Sequence, residues 1–277
     1  MAAEKLAALW VSQPDNLYYL TGCDGLEGYL LVSAGEAIIA TDFRYLEQAT
    51  RQAPEFRLSH IKGKMADWLP ALLAGLDLSN LGFEGNHLSF TAYQQMAQIL
   101  KKAEKPVDLV ETQGLVDDLR MIKDQAEIEN FLQAIHITEA ALAQVRKIGR
   151  AGMTEKALSW EIEKFMRENH SQPVPFELIV AAGPNSALPH AKSTDYVIQS
   201  GEPIVVDIGA KYHYYGSDLT RTFCLGKPDT QFQKVYQTVL TAQQTAIAGI
   251  RVGMTGAEAD AVGVIDTIDA RRGENGR

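Results

Sequence analysis

EPIVVDIGAKYHYYGSDLTRTF, residues 202–223, reads as a β-hairpin, with a buried strand from Pro203 to Gly209, a turn near Tyr212 and His213, and a second strand from Tyr215 to Phe223. Ile204, Val205 and Val206 are the β-branched residues expected of a buried first arm. With the turn centred between Tyr212 and His213, Asp207 and Asp218 fall directly opposite each other, which places their Cβ atoms about 4.5 to 5.5 Å apart. Two carboxylates at that spacing repel, and Asp207 follows an apolar run in which an unpaired charge is costly. A divalent cation between them relieves both problems, and so does pairing with Arg221 or capping of a turn. Oxygen ligands favour Mg²⁺, Mn²⁺ or Ca²⁺, with Co²⁺ or Zn²⁺ eligible once an imidazole joins.

Outward from the hairpin, the second part of the chain repeats itself. Arg150, Gly152, Met153 and Thr154 recur as Arg251, Gly253, Met254 and Thr255, each set following one helix-like segment and preceding another. Both threonines stand where a helix N-cap belongs, and Thr255 with Glu258 fits a capping box. The strands that follow the first copy have no counterpart after the second, so the sequence reads as containing about half of a pseudo-symmetric domain. The stretch LVDDLRMIKDQAEI, residues 115–128, opens a long amphipathic helix with Ile128, Phe131, Leu132, Ile135, Leu142 and Val145 at helical spacing. The domain boundary falls at about residue 120, giving domains 1–120 and 121–277.

The first domain alternates apolar runs with helical patterns. LAALWVS, GYLLVS and EAIIAT read as strands, and residues 64–76 and 90–103 as helices, so an α/β domain with a mixed sheet is expected. Across 277 residues, 35 acidic against 26 basic side chains give a formal charge of −9, which argues against a broad phosphate-binding surface, and so against nucleic acid as a partner, and against attraction to anionic membranes. No apolar stretch approaches the roughly 20 residues of a membrane helix. Glu4 and Lys5 interrupt the start where a signal peptide would be continuously apolar. The two cysteines, Cys23 and Cys224, have no metal-ligand spacing and read as reduced thiols. A cytoplasmic protein is expected.

VVDIGAKYHYYGSDLTRTF, preceded by IVAAGPNSALPHA, resembles the catalytic core of the proline-specific metallopeptidases of pita-bread fold, the Xaa-Pro aminopeptidases and Xaa-Pro dipeptidases. PDNLYYLTGCDGLEGYLLV followed by TDFRYLEQA resembles their creatinase-type N-terminal domain. The resemblance implies an α/β domain followed by an α+β pita-bread catalytic domain of which about the first half is present. It implies two divalent ions, most often Mn²⁺, held by two aspartates, one histidine and two glutamates. Asp207 and Asp218 match the aspartates. The histidine and glutamates lie beyond a GYGE-like stretch that corresponds to Arg272, Gly273 and Glu274. His190 matches a histidine that lines the substrate site and stabilises the reacting carbonyl or its tetrahedral intermediate, whereas His60, His87, His136, His170 and His213 read as surface or structural. Thr220 and Arg221 follow Asp218 closely and read equally as groups that orient it or as part of a strand-surface ion pair.

The implied substrate is a peptide with proline after the scissile bond, and the implied assembly a homodimer through the first domain. Creatinase shares both domains and uses no metal, so the two aspartates, not the fold, favour a metallopeptidase. Methionine aminopeptidases lack the first domain. Residues 1–277 alone are expected to be inactive, and a half-sheet should expose an edge and an apolar face. The rival expectation is a non-catalytic dimerisation or binding module derived from the same family.

Overall fold

A computed structural model of the chain describes residues 4–262, which divide into two compact units between Gln125 and Ala126. The GYGE-like stretch at Arg272, Gly273 and Glu274 lies outside the described residues.

The first unit is built on a six-stranded sheet of β1 (Ala8–Val11), β2 (Gly28–Ser33), β3 (Ala37–Thr41), β4 (Arg57–His60), β5 (Asn80–Glu84) and β6 (Asp108–Thr112), in the order β4-β3-β2-β1-β5-β6. The β1–β2 and β2–β3 pairs are antiparallel, and β3–β4, β1–β5 and β5–β6 are parallel. This is the mixed sheet expected from the sequence. Both of its faces are covered, which is why the strands read as unbroken apolar runs. Ala8, Trp10, Leu31 and Ile38 pack on one side with Leu69, Leu72, Met96 and Leu100 of helices α3 (Met65–Leu73) and α4 (Phe90–Lys101). Leu9, Val11, Leu30 and Ile39 pack on the other with Leu17 of α1 (Pro14–Thr21), Ala49 of α2 (Leu46–Gln52) and Val116 of α5 (Leu115–Met121).

The second unit sets helices α6 (Gln125–Ile148) and α7 (Glu155–Glu168) against an antiparallel sheet of β7 (Ile179–Ala182), β8 (Pro203–Ile208) and β11 (Leu219–Cys224), ordered β11-β8-β7. A two-stranded ribbon of β9 (Lys211–Tyr212) and β10 (Tyr215–Gly216) extends the hairpin. α8 (Thr230–Gly249) follows, and residues 256–262 begin a further helix. Ala141, Leu142, Leu158, Ile162 and Met166 of the helices meet Val180, Ile204, Val206 and Ile208 of the sheet.

Two expectations need correction here. β8 is not buried throughout: its residues alternate, with Ile204, Val206 and Ile208 turned into the core and Val205 and Asp207 on the other, half-buried face. On α6, Leu142 and Val145 of the expected stripe are buried, but Ile128 and Leu132 are exposed, and the rest of the buried face is formed by Glu127, Ala134, Ile137, Thr138 and Ala141. The helix is rotated because its contact face is partly polar. Glu127 accepts a hydrogen bond from the Tyr215 hydroxyl at 2.8 Å, and Thr138 meets Ser217 at 2.7 Å. Hydrophobicity alone does not find such a face.

The repeated motif has a repeated geometry. Gly152 and Gly253 adopt φ of 93° and 91°, and the Met153 and Met254 amides each donate to the carbonyl of the preceding arginine at 3.3 Å. The Thr154 hydroxyl caps α7 through the Ala157 amide, and Thr255 with Glu258 forms the capping box in full. On α8, Val235, Val239 and Ile247 are exposed, and β7 and β11 are the edges of the sheet among the described residues. No helix among the described residues is long and apolar enough to cross a membrane.

Candidate metal and substrate site

The hairpin that carries both aspartates is anchored on α6 through Ser217. Its hydroxyl, 5% exposed with its residue, lies 2.7 Å from the Thr138 hydroxyl and donates to the Ala134 carbonyl at 3.1 Å. The Ala210 amide donates to both hydroxyls, at 3.0 and 3.1 Å. The buried polar groups at this corner thus satisfy one another, as burial requires. Gly209 is needed at the same corner because a Cβ there would collide with the Ser217 carbonyl oxygen and come within 2.8 Å of the Phe176 ring.

The turn sits one residue later than expected. His213 and Tyr214 both take positive φ, 44° and 70°, and Tyr212 pairs with Tyr215, so this is a two-residue connection of the primed type that suits the twist of a hairpin. The shift moves the register by two. Asp207 pairs with Thr220, not with Asp218 as expected from a turn centred one residue earlier. Because the shift is even, the aspartates keep a common face as diagonal neighbours, a relationship that separates Cα atoms by about 7 to 8 Å.

Asp207 is half-buried on β8 and accepts a 2.6 Å hydrogen bond from the Thr220 hydroxyl at Oδ1. Asp218 is exposed and stands just before β11. Neither forms an ion pair with Arg221, whose Nη1 donates to the Thr220 carbonyl at 2.8 Å. Thr220 therefore orients Asp207, where the sequence suggested Asp218. Oxygen donors on one face at diagonal spacing fit a hard or intermediate divalent cation, since each carboxylate reaches inward by a side chain's length. They are a partial ligand set: among the described residues no group of three or more His, Cys, Asp and Glu side chains is placed to hold a metal.

His190 is exposed, in the turn that follows a 3₁₀ segment, Gly183–Ala187. β7, which pairs with β8 at Ile179–Asp207 and ends at Ala182, leads into this segment. No hydrogen bond joins His190 to either aspartate among the described residues. His170 and His213, both at positive φ, occupy turns.

One residue that sequence reasoning passed over organises this loop. Glu155, the first residue of α7, is fully buried and accepts from the Ala182 amide at 2.7 Å, the Thr194 amide at 2.8 Å, the Thr194 hydroxyl at 2.6 Å and the Asn185 side-chain amide at 3.1 Å. Burial pushes its pKa up, but the bonds from Thr194, Ala182 and Asn185 outweigh burial and hold it below the usual glutamate value. An acidic residue directly after a helix N-cap ordinarily reads as a solvated partner of the helix dipole, so its spacing carried no signal of burial.

Comparison with known proteins joins the two units. Residues 129–266 match the model of metallopeptidase family M24, and residues 1–122 that of the creatinase/prolidase N-terminal domain. The chain is 34% identical over 252 residues to the uncharacterised peptidase YqhT of Bacillus subtilis, covering 91% of this chain and 70% of that protein. It is 31% identical over 264 residues to a Xaa-Pro dipeptidase of Pyrococcus furiosus, covering 95% and 73%. A solved Xaa-Pro dipeptidase from Bacillus anthracis superposes with a TM-score of 0.89 at 33% identity, over 97% of this chain and 74% of that one. With a creatinase/prolidase-type first domain and the pita-bread architecture of its neighbours in the second, the chain belongs to metallopeptidase family M24.

Proposed function

We propose that this chain carries the first domain and part of the catalytic domain, residues 1–120 and 121–277, of an enzyme that hydrolyses the bond before proline in peptides, as a Xaa-Pro dipeptidase or aminopeptidase. In this reading Asp207 and Asp218 are metal ligands and His190 contacts the substrate. The observation that carries it is the pair of carboxylates on one face of the hairpin, one held by Thr220 at 2.6 Å and the other left exposed. Peptidases of family M24 use divalent metals; Mn²⁺ is the ion we propose, bound as a pair. Such a pair supplies Lewis acidity and a water of lowered pKa when bound.

The chain's own residues have separate tasks. Thr220 occupies Oδ1 of Asp207 and leaves the carboxylate's second oxygen for the ion. Asp218, next to the anchored Ser217, has its backbone fixed while its side chain remains open. His190 donates a hydrogen bond to the scissile carbonyl oxygen as negative charge builds on it. A bond before proline is a tertiary amide with no N–H, and a pocket shaped for it explains a dedicated enzyme. The free thiols of Cys23 and Cys224 suit a reducing compartment, the cytoplasm.

Titration of residues 1–277 with Mn²⁺, followed by the ion's electron paramagnetic resonance signal, tests the ligand assignment. Weak binding that disappears in both Asp207→Asn and Asp218→Asn supports it. Binding that survives both substitutions rejects it.

A further inference from the structure

We infer that Glu155 is the positioning residue of the His190 loop, clasping the two ends of that loop so that the imidazole is presented in one place. The inference rests on the substrate-contacting role proposed for His190.

The geometry is that of a buckle. One carboxylate oxygen of Glu155 takes the Ala182 amide, where β7 ends and the loop begins, and the Asn185 side chain. The other takes both the amide and the hydroxyl of Thr194, where the loop returns. Between these points lie residues 186–193, with His190 exposed in their middle. The returning segment is held against the start of α7 by backbone bonds as well: the Glu155 amide to the Tyr196 carbonyl at 3.1 Å, and the Lys156 amide to the Thr194 carbonyl at 3.0 Å. Residues 186–191 are tied by local bonds such as Leu188 N–H to the Asn185 carbonyl and Ala191 N–H to the Leu188 carbonyl, while Ser193, beside Thr194, accepts from the Val180 amide of β7 at 3.0 Å and Lys192 pairs with Glu177 at 3.5 Å. The position of residues 186–191, His190 among them, relative to the sheet therefore depends on the two ends, where Glu155 holds Ala182, Asn185 and Thr194 and Ser193 adds its bond to β7.

A carboxylate suits this task and an amide does not. Every group facing Glu155 here is a donor, and a glutamine would turn its own N–H₂ toward one of them. The second copy of the motif isolates the feature. Thr255 is followed by Gly256 where Thr154 is followed by Glu155, although both copies share the turn and the cap. The cap and turn need no acid at this position, so the carboxylate serves the loop it bonds, between Ala182 and Thr194.

The test combines two readouts on Glu155→Gln, Asn185→Ala, Thr194→Ser and Thr194→Val. Amide exchange at residues 182–194, with β8 amides as the control for folding, should accelerate by about tenfold to a hundredfold in Glu155→Gln, the scale of losing bonds to a charged acceptor. It should stay near wild type in Thr194→Ser, which keeps the hydroxyl. Kinetics on a Xaa-Pro peptide, in the polypeptide carrying the remaining family ligands besides residues 1–277, should show kcat falling about a hundredfold with KM little changed. The same substitution in a His190→Ala background should cost little more than His190→Ala alone. Should Glu155→Gln fail to fold, Asn185→Ala, which removes one donor from the loop side, carries the same comparison. Unchanged exchange at 182–194 overturns the inference while His190→Ala still lowers kcat. An equal kcat loss in the His190→Ala background also overturns it, by showing that Glu155 acts elsewhere. If His190→Ala leaves kcat intact, the role of His190 falls, and the positioning role with it.

Discussion

Ser217→Ala tests how the metal-bearing hairpin is held. The substitution deletes a hydroxyl that meets Thr138 at 2.7 Å, the Ala134 carbonyl at 3.1 Å and the Ala210 amide at 3.1 Å, in a position 5% exposed. The Ala210 amide keeps a partner, because it also donates to the Thr138 hydroxyl at 3.0 Å. The loss therefore lies between one ordinary hydrogen bond, about 1 kcal/mol, and the upper range of about 3 kcal/mol for a buried hydroxyl left unsatisfied. A value near 2 kcal/mol corresponds to roughly 30-fold faster exchange at amides that open with the second unit, at about 1.4 kcal/mol per tenfold. Exchange at β8 amides reports this unit alone, and amides of β1 and β5 in the first unit should not respond. Thr138→Val, which leaves both Ser217 and Ala210 with other partners, should cost less, about 1 kcal/mol. A Ser217→Ala protein whose β8 amides exchange within twofold of wild type would refute the anchoring role.

Gly209→Ala should destabilise the second unit by about 1 to 3 kcal/mol, because its Cβ meets backbone at Ser217 that cannot swing aside; urea unfolding measures it, and a neutral result rejects the close approach. Replacing His213 by Asn together with Tyr214 by Gly should stabilise the hairpin by about 1 kcal/mol, since both positions have positive φ and these residues accept it at low cost. A loss of stability in the same unfolding assay would mean that the ring contacts of His213 with Tyr212 and of Tyr214 with Lys211 outweigh the backbone term. Glu155 has its pKa lowered in the folded chain, so its contribution is complete above the ordinary glutamate pKa and is lost as pH falls through the lower native value. Glu155→Gln should accordingly flatten the acid limb of stability against pH while lowering the neutral plateau, and an unchanged acid limb counts against this assignment.

The first domain was legible because its strands are buried on both faces and bounded by clear turns. Runs such as GYLLVS and EAIIAT are β2 and β3 with small changes at their ends. Both N-caps of the repeated motif were also legible, since a cap is a local arrangement of neighbouring residues. The hairpin register was not. Locating the turn from residue type favoured Tyr212 and His213, whereas the chain places His213 and Tyr214 at positive φ without a glycine or asparagine to announce it. That single-residue displacement exchanged Asp218 for Thr220 as the partner of Asp207. The buried face of α6 was hidden for a related reason, because Glu127 and Thr138 point inward to partners nearly 80 or more residues away and Ile128 points out. Glu155 was missed because its partners, Ala182 and Thr194, are brought to it only by the folded loop. Local chemistry was readable, and long-range polar pairing was not.

The most direct test of the central claim is hydrolysis of a Xaa-Pro peptide with and without added Mn²⁺, comparing residues 1–277 with the polypeptide that also carries the remaining family ligands. The account predicts no turnover by residues 1–277, Mn²⁺-dependent turnover by the longer polypeptide, and its loss in Asp207→Asn. Turnover by the longer polypeptide that survives Asp207→Asn, or that needs no divalent ion, would contradict it.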